Sequence, residues 1–141
     1  MLRFFAVLLT GLALIAPGAH VYEIANKMPL PKVEYFVVQK IYIGWWMAGL
    51  LLPISLLANF ALAYVESNLF ALMAAILLLA NLVIFYFFTY PVNVETVNWT
   101  VMPDNWEALR RRWELSHAVN AGVTLLAFCL SIAAALRKIP T

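Results

Sequence analysis

Two histidines hold most of the chemistry this sequence can offer. His117 follows Glu114 by three residues, reading E-x-x-H, and His20 precedes Glu23 by three, reading H-x-x-E. Side chains three apart on a helix are neighbours, so each motif sets an imidazole beside a carboxylate. Such a pair is a general-base unit. On antiparallel helices the two pairs can also meet at one depth. Di-metal carboxylate bundles are built that way, with E-x-x-H on two helices and a further glutamate on each of the others. Glu34 and Glu95 are the candidates for those further ligands. A metal held by His20, Glu23, Glu114 and His117 would be iron or copper, with zinc and manganese also compatible with parts of the donor set. Without a metal, the same four residues form the catalytic set. Lys27, Gln39, Tyr42 and Asn93 are then placed to orient a substrate carbonyl or phenolate. Arg110, four residues before Glu114, is a candidate counter-ion for it.

The element that must position His117 begins with P-D-N-W-E-A-L-R-R-R-W-E-L-S-H-A-V-N, residues 103–120. Asp104 and Glu107 form a D-x-x-E capping pattern, which predicts a helix start. Trp106, Leu109, Trp113, His117 and Asn120 recur at three- and four-residue steps and share one face. Trp113 and Asn120 thereby join the candidate substrate contacts. Nothing interrupts the helix before Leu136. Ala118 and Gly122 predict a strip of close helix contact. The basic run Arg110–Arg112 beside an apolar span suits phosphate headgroups, or pairing with nearby acids, rather than nucleic acid.

The rest of the chain is a membrane sequence. It is 65% hydrophobic with only 11% charged residues and a mean hydropathy of +0.89, more apolar surface than a soluble core can hide. Cys129 is the single cysteine, which excludes an internal disulfide or a dithiol redox pair. The first segment has signal-peptide features in Arg3 and Pro17-Gly18-Ala19. Yet Phe4 to Tyr22 is about nineteen residues, enough for a ~30 Å apolar layer, and reads as a span. Further spans are predicted at 41–64, 69–90 and 116–136, with Arg137 and Lys138 as interfacial anchors. Pro53 predicts a kink that frees the carbonyl of Gly49. Asn59 and Asn81 read as interhelical hydrogen-bonders.

The expected fold is therefore all-α: one four-span domain over 1–141, an up-down-up-down membrane bundle. Segments 20–40 and 91–115 form a polar cap on one side. Among the Lys, Arg, Asp, Glu and His residues only Arg3, Glu66, Arg137 and Lys138 fall on the other side. The expected location is a bacterial inner membrane, as a multi-pass protein.

Pro91-Val92-Asn93, then Trp113-Glu114-Leu115-Ser116-His117 leading into a terminal span, resembles the anthrone-oxygenase-like family of small four-helix membrane proteins. The resemblance lies mainly in the last third of the chain. It implies Pro91, Asn93, Trp113 and His117 as signature positions, and oxidation of polycyclic phenolic anthrones by molecular oxygen. Members commonly carry an arginine three residues after the histidine, where this chain has Asn120.

The expectation is a small membrane oxidoreductase of oxygenase type. It would act on a lipophilic small molecule, in contact with membrane lipids and with no role for nucleic acid. The alternative is a non-catalytic accessory or assembly subunit, with a membrane-protein partner or a second copy of itself. Four spans without inverted repeats make a poor transport path.

Overall fold

Long apolar runs form helices away from water, because only internal hydrogen bonding satisfies the backbone there. A computed structural model describes residues 1–137 as such helices and their connections. Helix α1 is Leu2–Lys27, α2 is Lys32–Val38, α3 is Trp46–Glu66, α4 is Leu69–Glu95 and α5 is Trp106–Leu136. Four of them, α1, α3, α4 and α5, are long and apolar enough to cross a membrane. The expected anchor Lys138 lies outside the described residues.

Helix α5 packs along both α1 and α4, and α3 closes the ring against α1 and α4. Small and hydroxyl side chains fill the seams. Ala6, Leu62, Ala71 and Ala134 form one apolar layer, and Ala74, Leu78 and Ala127 another. The closest approach is at Gly11, where an added Cβ would stand 3.0 Å from the Phe128 ring. The expected contact strip at Ala118 and Gly122 is not the packed face. Gly122 is exposed with open space around it, and Ala121, Thr124, Ala127, Ser131 and Ala134 turn inward instead.

Asn59 and Asn81 join helices as expected. Asn59 donates to Thr10 Oγ1 at 2.9 Å and accepts from Ser131 Oγ at 2.7 Å. Asn81 donates to the Asn120 carbonyl at 3.1 Å and to Thr124 Oγ1. At one end of the helices, Arg3 reaches Glu66 and the carbonyls of Ala135 and Arg137. Asn68 caps α4 through Phe70 and Ala71 and donates to the Ala134 carbonyl.

Three local departures follow from single residues. The second spanning helix starts at Trp46 rather than at 41. Gln39–Tyr42 is a 3₁₀ turn, and Gly44 follows at φ +91°, a conformation that ends regular helix. Helix α4 runs on past Pro91, because Phe85–Thr89 widens into a π turn. A proline clashes with the carbonyl four residues back, here that of Phe87, and cannot bond it. The π turn relieves that clash, and Arg112 Nη2 bonds the freed carbonyl at 2.6 Å. In α5 the expected Asp104–Glu107 capping box is absent. The helix begins at Trp106, leaving Asp104 a residue too early, and the N-cap Asn105 donates its amide to Glu95 instead.

Candidate functional site

The far end of the helices from Arg3 carries the chemistry. Lys27 closes the last turn of α1, and the helical period brings Glu23 under it at 3.3 Å. From α5, Glu114 Oε1 meets the same ammonium at 3.0 Å. Lys27 Nζ also donates to Tyr42 Oη at 2.7 Å and stands 3.4 Å from His20 Nδ1. That contact leaves Nδ1 as the acceptor and Nε2 as the protonated nitrogen. The Tyr42 hydroxyl donates to Glu23. Tyr35, fully buried on α2, donates to Glu114 Oε1 at 2.8 Å. One ammonium is thus shared by two carboxylates, a phenol and an imidazole.

The two histidines meet as stacked rings. His20 and His117 centroids are 4.0 Å apart at 28°. Trp113 stands edge-on to both, at 4.8 Å from His20 and 4.3 Å from His117. Tyr42 and Trp45 also lie against His20, at 4.4 and 5.8 Å.

Burial pushes both phenols of this region above their ordinary range. For Tyr35 the charge of Glu114 adds to burial, and for Tyr42 the hydrogen bond to Glu23 does. Each phenol therefore acts as a hydrogen-bond donor to its carboxylate.

An aromatic layer supports the cluster: Tyr35, Phe36, Val92, Trp99, Leu109 and Trp113, with Trp106 packed against it. Trp99 is delivered by a strained turn. Val97, Asn98 and Trp99 have φ of 48°, 53° and 64°, three successive left-handed residues. Each such non-glycine residue costs roughly 1–2 kcal/mol. Thr96, fully buried, holds the turn by accepting from Trp99 N and donating to the Val92 carbonyl.

The ten residues singled out from sequence fall as follows. His20, Glu23, Lys27, Tyr42, Trp113, Glu114 and His117 come together. Asn93 is near but occupied, since its Oδ1 accepts from Trp113 Nε1 at 2.9 Å and so orients the indole. Gln39 is buried against Tyr35, with no partner for either amide atom. Asn120 lies further along α5, its carbonyl bonded to Asn81 and its Oδ1 unpartnered.

Three expectations are corrected. Glu114 and His117 do not form a base pair. Glu114 turns to Lys27 and Tyr35, while His117 turns to His20 and Trp113. Arg110 is not the counter-ion of Glu114. Its guanidinium bonds the Leu30 carbonyl at 2.8 Å and lies over Trp106 at 4.4 Å, and Lys27 takes the role. The metal site of His20, Glu23, Glu114 and His117, with iron or copper, is not assembled. Among the described residues no three of His, Cys, Asp and Glu converge as ligands. The point where those side chains meet is taken by the Lys27 ammonium, which repels a cation. Glu34 is exposed, and Glu95 is held by Asn105.

Sequence reasoning missed Tyr35, Trp45 and Trp99 as parts of the site. Lys27 was legible as a partner of Glu23 at a four-residue step, but its position between the two carboxylates was not. A surface recess of about 340 Å³ lies elsewhere, at the connection of α3 to α4 beside Phe60, Tyr64 and Leu72.

No family model matches the chain, nor does any curated protein or solved structure.

Proposed function

We propose that this chain is a small membrane oxidoreductase of oxygenase type that acts on a lipophilic small molecule at the Lys27–Glu114–His20–His117 cluster. The four apolar helices would cross the bilayer up-down-up-down, with the cluster in a polar cap at one boundary. The grouping of contacts supports this arrangement. Arg3, Glu66, Asn68 and Ala134 meet at one end, and Lys27, Tyr35, Trp113 and Asn93 are tied together at the other.

The observation that carries the reading is the convergence on one buried ammonium of two carboxylates and an imidazole stacked on a second. Ionisable groups inside a helical bundle are costly and mark functional positions. Pinning two helix ends needs one pair, not five groups.

The chemistry follows from the roles these groups can take. Glu114, as a carboxylate, accepts a proton from a weakly acidic substrate. Lys27 beside it stabilises the anion that results. His20 helps to position Lys27 through Nδ1, and His117 holds the His20 ring by stacking on it. Trp113 and Tyr42 line the site with aromatic surface, with Trp45 at its outer edge. An electron-rich carbanion formed in this way reacts directly with molecular oxygen. Oxidation of a methylene to a carbonyl then consumes one O₂ and releases one water. The resemblance of Trp113–His117 to the anthrone-oxygenase-like motif favours the same class of substrate.

The test is oxygen uptake by the purified protein in lipid nanodiscs with a panel of lipophilic phenols and anthrones. Turnover is expected in the native protein and should fall by about 100-fold or more in Glu114→Gln and His117→Ala, with helicity unchanged. Full activity in both folded variants would sink the reading. A protein inactive on the whole panel that copurifies stoichiometrically with another membrane protein would favour the accessory-subunit alternative.

A further inference from the structure

The inner part of the cluster is covered, while Glu23 at its edge keeps a third of its side chain exposed. Glu114 is 1% exposed, and Lys27 and His20 are 3% exposed. Any ligand that reaches Glu114 must first displace a side chain, and the covering differs in how firmly it is built. Trp113 and Tyr35 sit on regular helices inside the aromatic layer. Tyr42 and Trp45 do not. They belong to the connection between α2 and α3, where helical bonding lapses into isolated three-residue turns: Ile43 N to the Lys40 carbonyl, Trp45 N to that of Tyr42, and Met47 N to that of Gly44. Gly44 sits in the middle at φ +91°, a conformation open to glycine and strained for other residues.

The two sides of this connection differ in kind. The Tyr42 and Trp45 rings lie against His20, with Trp45 still 36% exposed at the outer edge. Ile41, Ile43 and Trp46 face outward and are all more than half exposed. In a bilayer those outer side chains meet lipid, as interfacial aromatic and apolar residues do. The connection is therefore a thin wall with lipid on one face and the buried cluster on the other.

Around Tyr35 are unspent hydrogen-bonding atoms. Glu114 Oε1 takes both Tyr35 and Lys27, while its Oε2 is buried with no partner. Gln39, at the first residue of the connection, is buried with neither amide atom bonded. Buried polar atoms are almost always paired, so such groups together point to a ligand. A carboxylate oxygen can only accept, and an amide can both accept and donate.

We propose that Tyr42–Trp45, hinged at Gly44, is a lateral lid that opens towards the bilayer and admits a flat lipophilic molecule carrying a hydroxyl. Glu114 Oε2 accepts the hydroxyl hydrogen, and the Gln39 amide bonds the same polar end. This rests on the reading of the cluster as a substrate site and adds its route of access and the polar group its ligand must carry.

Access can be read without turnover. Diethyl pyrocarbonate, which partitions into membranes, modifies neutral imidazoles, and mass spectrometry resolves His20 from His117. In proteoliposomes the native protein should label slowly at His20. Trp45→Ala removes part of the lid, and Gly44→Ala strains its hinge. Each should speed His20 labelling by about tenfold, as a raised open population requires. In Trp45→Ala, 1-naphthol should protect His20 and naphthalene should not. Adding Glu114→Gln should abolish that difference. Unchanged labelling in both lid variants, with helicity intact, would overturn the lid. Equal protection by naphthalene would overturn the hydroxyl site. A protein that opens and binds 1-naphthol yet never consumes oxygen would instead sink the oxygenase reading and leave this inference standing.

Discussion

Lys27 Nζ lies 3.0 Å from Glu114 Oε1, so α1 and α5 are joined by an ion pair whose two side chains are almost wholly buried. Breaking such a pair from one side strands a charge, which costs about 3–5 kcal/mol. Lys27→Met and Glu114→Gln should each lower unfolding stability strongly in mild detergent. The double variant should lose clearly less than the sum of the two. Additive losses in a double-mutant cycle would mean that the pair is not coupled.

Arg110→Lys separates two roles for that cation. The guanidinium lies 4.4 Å over the Trp106 ring and bonds the Leu30 carbonyl, a fit that an ammonium cannot reproduce. The variant should lose about 1 kcal/mol of stability through the weakened aromatic contact. Its oxygen uptake against pH should match that of the native protein, because Glu114 is served by Lys27. A displaced pH profile would return Arg110 to the role of counter-ion.

The left-handed turn at Val97 offers a stabilising change. Val97 is β-branched, more than half exposed and held at φ 48°. Glycine adopts that conformation without steric cost, while giving up little packing at an exposed site. Val97→Gly should therefore raise stability by about 1 kcal/mol, read as a higher unfolding midpoint. A lower midpoint would show that the Val97 side chain contributes more than its backbone costs.

The phenols of Tyr35 and Tyr42 set an alkaline limit. Both are pushed above the ordinary value of about 10 that an unfolded chain would show. Above that pH the unfolded state releases protons the folded state retains, so stability falls as pH rises. Below it both states keep the phenolic proton and these groups add no slope. Unfolding midpoints measured from about pH 8 to about pH 11 should show the decline only in the upper part, and Tyr35→Phe should make it shallower. An unchanged slope in that variant would exclude Tyr35 as a source.

Hydropathy was enough to find the four long helices, because it reports the solvent each segment can tolerate. The three- and four-residue pattern correctly placed Trp113, His117 and Asn120 towards the interior. The same arithmetic failed for Glu114 and His117. Three residues leave side chains about 60° apart around a helix, and here that divergence points them at different neighbours. No local pattern shows which neighbour an extended side chain will meet. Tyr35 looked like any aromatic residue on a short amphipathic segment, and its bond to Glu114 spans 79 positions. The π turn was hidden for another reason. The predicted span ended at residue 90, but a helix can absorb the proline that follows by widening, provided that something takes up the orphaned carbonyl, and Arg112 does so.

The Glu23–Lys27 contact has a consequence for how the chain is made. Helix α1 is synthesised long before α5, so Lys27 ends its apolar helix when Glu114 does not yet exist. A bare ammonium there would resist insertion. Glu23, one turn back on the same helix, travels with it as a provisional counter-charge. The arrival of α5 then turns a local pair into a shared one, and the lysine changes from a liability of the first helix into the latch of the last.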